Sequence, residues 1–330
     1  MTTSSVALPR PTHRGSGAVT GLAIAVASAL AFSSSGPFVK PLLEGGWSLG
    51  AVLLVRMALA SLILSPALIR AIRRQRGFLR RHGLIIVSFG LTAVAGCQVF
   101  YFAALQRMPV AVALLIQYIA PVLLVVAVWV RTRRAPSRLV IIGSVVAMAG
   151  LVLVVDISGA RFDLLGTLFA LCAAVCAAAY FVIAARAGDE LPPLALAAGG
   201  LLTGTLVMAV LVATGVLPFA APAITVQVLG LEVHGILPLL WVGAVATTLG
   251  YALGVIAVPL IGSRVASFVG LSEVLFALGF AWLLLGETPA PVQFIGGAVL
   301  LAGVVLVRLD ASDPVEQRTE TASIPVVPSP

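Results

Sequence analysis

The sequence predicts an all-α integral membrane protein, with ten transmembrane helices arranged as two inverted five-helix repeats. Three observations predict it. Hydrophobic residues make up 61% of the 330-residue chain and charged residues only 10%, against roughly 25% charge in soluble domains. Apolar runs of bilayer length recur between short breaks rich in Gly, Pro and Arg. The basic residues in those breaks follow a pattern that reverses between the two halves of the chain. A membrane helix takes about 20 residues, so ten spans use roughly 200 and leave about 130 for loops and tails, too few for a sizeable soluble domain.

In chain order, the apolar runs place helices over residues 16–39, 48–70, 83–106, 110–130, 139–157, 162–186, 192–215, 236–258, 264–285 and 290–308. Arg10 and Arg14 precede the first run, which contains a small-residue site at Ala29-Leu30-Ala31, as a cleaved secretory signal does. That run continues past the site toward Lys40, so it reads as a retained helix. Turn chemistry marks the breaks: Lys40-Pro41 with Gly45-Gly46, Arg107-Met108-Pro109, Ala135-Pro136, Pro192-Pro193, and Gly286-Glu287-Thr288-Pro289. Residues 1–15 and 311–330 are polar or Pro-rich and read as disordered cytoplasmic tails.

Sliding the chain by 153 positions aligns residues 110–155 with 263–308. Twelve of the 46 positions are then identical, among them Trp129 with Trp282, Pro136 with Pro289, Gly143 with Gly296 and Gly150 with Gly303. The same offset pairs Gly90 with Gly243, and an offset of 145 pairs Gly21 with Gly166. The halves are 16–157 and 162–308. Five helices is an odd number, so the second half enters the membrane with the opposite orientation.

Loop charge tests that inference. Arg70, Arg73, Arg74, Arg76, Arg80 and Arg81 lie between helices 2 and 3, whereas the corresponding connection at 216–235 has no Lys or Arg. Arg131, Arg133, Arg134 and Arg138 lie between helices 4 and 5, whereas the matching stretch around Glu287 has none. Basic residues favour the cytoplasmic side. With both termini inside, 16 basic residues fall in the cytoplasm, three outside (Lys40, Arg107, Arg161) and one, Arg56, within a helix. The location this implies is the inner (plasma) membrane, crossed many times. The net charge of +8 gathers in these short loops, unlike the basic surface interleaved with aromatics of a nucleic-acid binder.

The second half carries Ser272-Glu273-Val274, then Trp282-Leu283-Leu284-Leu285-Gly286-Glu287, then Gln293, Gly296 and Gly303. The first half carries Ala120-Pro121 eight residues before Trp129, and Leu54-Val55-Arg56-Met57-Ala58-Leu59-Ala60 in helix 2. In these residues the chain resembles the EamA-type half-repeats of the drug/metabolite transporter superfamily over most of 16–308. It departs from the family pattern at Val274, where a proline is frequent, and in the first half, which has no acid beside Pro121. The resemblance implies a ten-helix secondary transporter with a cavity between its halves, commonly moving amino acids or other small metabolites outward.

Ionisable groups at membrane depth usually face a cavity or an interior. Glu273 lies nine residues from Arg264, roughly 13 Å along a helix, and Arg56 reaches a comparable depth from the other side. Three readings compete: a buried Arg56–Glu273 ion pair, either or both binding the charged ends of a zwitterionic solute, or Glu273 as a proton carrier. The other candidate solute contacts are Ser34, Gln98, Tyr101, Gln117, Tyr118, Tyr180, Thr248 and Tyr251. Each can serve instead as an interhelical hydrogen-bonding group. Pro121 is a hinge candidate, since proline removes a helical hydrogen bond.

Cys97, Cys172 and Cys176 lie in apolar runs, while His13, His82 and His234 lie in loops or tails, so they read as packing residues and no metal site is expected. No Gly-rich segment ends in Lys-Ser or Lys-Thr, and neither His-Glu-x-x-His nor Gly-x-Ser-x-Gly occurs. The chain therefore reads as no enzyme, without cofactor and without ATP coupling. The expected partners are a small-molecule solute and the lipid bilayer, with a homodimer compatible and nucleic acid excluded. Export of hydrophobic or cationic drugs is the alternative cargo. A membrane scaffold or partner subunit is the alternative class, although a scaffold has no need of charges at midplane.

Overall fold

The structure is a computed structural model that describes residues 14–155, 163–188, 190–228, 230–286 and 288–310. The tails expected at 1–15 and 311–330 fall outside these residues, except that Arg14 and Gly15 begin the first helix. In the N-terminal half the helices are α1 (Arg14–Ser33), α2 (Ser35–Glu44), α3 (Leu49–Arg74), α4 (Phe78–Phe89), α5 (Cys97–Leu105), α6 (Val110–Gln117), α7 (Ala120–Thr132) and α8 (Arg138–Val154). After them come α9 (Leu164–Ala184), α10 (Pro193–Ala213), α11 (Ile236–Trp241), α12 (Gly250–Ile261), α13 (Ser263–Gly270), α14 (Ser272–Leu285) and α15 (Pro291–Asp310). Two π-helical segments, Gly90–Gly96 and Val242–Leu249, join α4 to α5 and α11 to α12.

Joined end to end, these elements form nine stretches long and apolar enough to cross a bilayer among the described residues, and Arg138–Val154 is a shorter apolar helix of 17 residues. The protein is therefore a multi-pass helical membrane protein. Its outer surface is apolar, with Leu84 81% and Leu164 89% exposed, as expected where lipid rather than water covers the side chains.

Helix ends follow the chemistry of their flanks. Ser48, Ser137 and Asp163 accept N-cap hydrogen bonds from Ala51, Val140 and Gly166. Gly286 closes α14 at φ +72°, a left-handed geometry that glycine adopts without a Cβ clash. The break expected at Lys40-Pro41 is absent: both lie inside α2, and the chain turns at Ser34 and Gly45-Gly46. Pro41 removes one hydrogen bond inside the helix, which ends at Glu44, three residues on.

The 216–235 connection is more ordered than an all-α reading allows. Thr225–Val228 pairs antiparallel with Leu231–His234, Thr225 opposite His234, and Gly230 takes φ +74° in the turn. Alternating Val226 and Val228 suit a half-buried strand, and Val226 packs with Leu42, Val52 and Leu239. Ser48 straps the preceding segment to α3: its N–H donates to Ala220 O at 2.9 Å and its Oγ to Pro218 O at 2.8 Å. The Trp47 indole donates to Pro222 O at 3.0 Å.

The most extensive helix pairings are α8 with α15, α3 with α10, α1 with α12 and α5 with α9. In the first, a Cβ on Gly150 would lie 2.2 Å from Leu300 N, and one on Gly303 would lie 2.3 Å from Ala147 N. Small residues let the two backbones touch. The pair is also joined at its ends, where Ser137 Oγ donates to the Asp310 carboxylate and Gln293 Nε2 donates to Val154 O at 2.9 Å. Asp310 also meets Arg264 Nη1 at 3.5 Å, both side chains mostly buried.

Candidate functional site

An internal cavity of about 200 Å³ lies where α1, α5, α6, α7, α9, α12, α13 and α14 converge. Elements with broken geometry build much of its wall. The first π-helical segment sets Ala93 in the wall ahead of Cys97 and Gln98, and the second runs directly into Tyr251. A π turn carries an extra residue and re-aims the side chains that follow it. Thr247 and Thr248 hydroxyls donate to the carbonyls five residues back, Val242 O and Gly243 O, at 2.8 and 2.7 Å.

Six of the ten solute contacts expected from the sequence meet at this cavity: Gln98, Gln117, Tyr118, Tyr180, Tyr251 and Glu273. Pro121 lines it too, but does not kink a continuous helix. The chain breaks at Tyr118–Ile119, and Pro121 sits in the first turn of α7, where its missing N–H costs nothing.

The other four stand elsewhere. Ser34 is buried in the turn between α1 and α2, donating to Ala31 O at 2.7 Å and accepting from the Trp241 indole at 3.1 Å. Thr248 uses its hydroxyl inside its own helix. Tyr101, beyond Gln98 on α5, packs with the cluster of Ala104, Met108 and Ala170. Arg56 lies outside the lining: Nη1 donates to Ser35 Oγ at 3.4 Å, and its buried Nε has no hydrogen-bond partner.

Arg56 and Glu273 make no ion pair within 4.0 Å, although each feels the other's charge. Glu273, in the first turn of α14, is the one formally charged side chain on the described wall. Aromatic rings form part of the same wall. Tyr251 meets Phe32 edge-on at 5.1 Å and Tyr180 at 6.1 Å, and Tyr180 meets Phe181 at 5.0 Å. The Tyr180 hydroxyl and Gln117 Oε1 are buried without a hydrogen-bond partner, while Gln117 Nε2 donates to Cys97 Sγ at 3.4 Å.

The wall also includes Ser28, Phe32, Cys97, Phe181 and Ser267, which sequence reasoning missed. Ser28 and Phe32 stand four residues apart on α1, with Ala25 and Ala29 on the same stripe, and that helical spacing was the available signal. Phe181 carries no polar atom to mark it. All three cysteines are free thiols, and no cluster of three or more His, Cys, Asp or Glu forms among the described residues.

The fold and sequence have known counterparts. A solved crystal structure aligns with a TM-score of 0.66 at 19% identity, covering 93% of this chain and 98% of the other; at that identity the likeness is one of fold. A curated protein of Streptantibioticus cattleyicolor, named "Probable terminal-alkyne amino-acid exporter", is 29% identical over 291 residues, spanning 86% of this chain and 91% of its own. Residues 19–156 and 164–309 match the family described as EamA-like transporters. With a match covering nearly all of its membrane-spanning residues, the chain belongs to the EamA-like transporter family.

Proposed function

We propose that this protein exports amino acids or related small metabolites across the inner membrane by alternating access between two inverted five-helix halves, 16–157 and 162–308. One observation carries the reading: a cavity walled by helices from both stretches holds one carboxylate with no ion-pair partner within 4.0 Å among the described residues. A carboxylate at such depth is expensive unless a ligand or proton uses it. In this reading Gln98, Gln117, Tyr118, Tyr180, Tyr251 and Glu273 contact the solute.

Supporting the inverted halves, the two π-helical segments begin at Gly90 and Val242, close to the 153-residue offset of the repeat. The four glycines of the α8–α15 contact are those that the offset aligns, but they touch in crossed order, Gly143 against Gly303 and Gly150 against Gly296, as two helices related by a two-fold do. The arginine-rich loops support cytoplasmic termini. The relative's printed name supports an amino acid with a small apolar side chain as cargo.

The test is efflux from proteoliposomes preloaded with labelled leucine or L-propargylglycine, a terminal-alkyne amino acid. Protein-dependent efflux, accelerated by the same amino acid outside, is expected. Flux no greater than from protein-free liposomes, across a panel of amino acids, would overturn the proposal.

A further inference from the structure

We infer that the cavity wall is built to bind the primary ammonium end of an aliphatic solute and offers no cation to a carboxylate end. The inference rests on reading the cavity as the solute site, and it names which end of the solute the protein grips.

The polar groups of the wall divide by what they have left to offer. Three hydroxyl donors are spent within the protein: Ser28 Oγ donates to Gly250 O at 2.7 Å, Ser267 Oγ to Arg264 O at 2.7 Å, and the Tyr251 hydroxyl to Ala93 O at 3.4 Å. The charged acceptor is Glu273, which lines the cavity with no protein hydrogen bond among the described residues. An ammonium is its match, a group that donates three N–H bonds and accepts nothing in return.

Charge and surface point the same way. The described wall carries one negative charge and no cationic side chain; Arg56 lies outside the lining and donates to Ser35. A carboxylate brought here would be a second anion with no cationic side chain of that wall to meet it, which is costly at low dielectric. Phe32, Tyr180, Phe181 and Tyr251 offer ring faces that attract a cation and apolar surface for a short aliphatic chain. An amino acid therefore docks by its ammonium against Glu273, its carboxylate meeting no cation of the described wall.

The test is calorimetric titration of the purified full-length protein in nanodiscs with four leucine-shaped probes, at about pH 6.5, below the usual α-amino range. L-Leucinamide and isopentylamine keep the amine, whereas N-acetyl-L-leucine and 4-methylpentanoate lack it. The two amines are expected to bind at least about tenfold more tightly, as a hydrogen bond to a charged group warrants. Glu273→Gln should weaken amine binding by about tenfold or more. Equal or tighter binding of N-acetyl-L-leucine or 4-methylpentanoate, or no binding of either amine, would overturn the inference.

The outcomes separate it from the exporter reading. A protein that binds both amines but moves no amino acid refutes export and keeps the inference. One that exports leucine but prefers the acylated probe does the reverse.

Discussion

The Tyr180 hydroxyl rests on the backbone of Gly254, so closely that a Cβ at 254 would lie 2.0 Å from it. Glycine at this point of α12 lets a tyrosine from α9 reach the cavity. Gly254→Ala should therefore cost about 1–3 kcal/mol through overpacking and lower the unfolding temperature in detergent. Adding Tyr180→Phe removes the clashing oxygen, so the double variant should recover most of the loss. Additive destabilisation in that cycle would show that the two residues do not meet.

The α8–α15 contact predicts a sharp difference between glycines. Gly150→Leu places side-chain atoms into the α15 backbone and should abolish a monodisperse peak on size-exclusion chromatography. Gly279→Leu, with open space around its Cβ position, should leave that peak unchanged. Equal behaviour of the two variants would contradict the close backbone approach.

At the far end of α15, Asp310 joins Ser137 of α8 to Arg264 of α13. Removing one member of a buried ion pair costs roughly 3 kcal/mol or more. Asp310→Asn keeps an acceptor for Ser137 but removes the charge opposite Arg264, so thermal unfolding should shift down by several degrees. No shift would mean that water already screens the pair.

Glu273 is the proposed solute contact, and the sequence also offers it as a proton carrier. No other carboxylate lines the described wall. With no substitute carboxylate at hand, Glu273→Gln should abolish efflux driven by a pH gradient in proteoliposomes. Gradient-driven efflux that persists in this variant would remove Glu273 from proton coupling.

The sequence made the spans legible because a run of apolar residues reports length directly, and the helices after Ser48 fall close to the expected positions. It could not report which face of each helix looks inward. In lipid both faces are apolar, so periodicity carries little orientation, and Arg56 and Tyr101 could not be separated from Gln98 and Glu273 by spacing alone. The π-helical segments were hidden for a related reason. Gly90 and Gly243 align in the repeat, but an extra residue in a turn leaves no compositional trace. The hairpin at 225–234 was missed because its strands are only four residues long, at the lower limit of the length at which alternation stands out.

Helix α8 has 17 residues, about 25 Å of rise, against a hydrocarbon core of about 30 Å. Alone it would draw the membrane thin around itself or leave its terminal amides and carbonyls among acyl chains. Its longer neighbour supplies a carboxylate at one end, through Asp310, and an amide at the other, through Gln293. Both ends of α8 are therefore tied to polar groups of the protein at Ser137 and Val154.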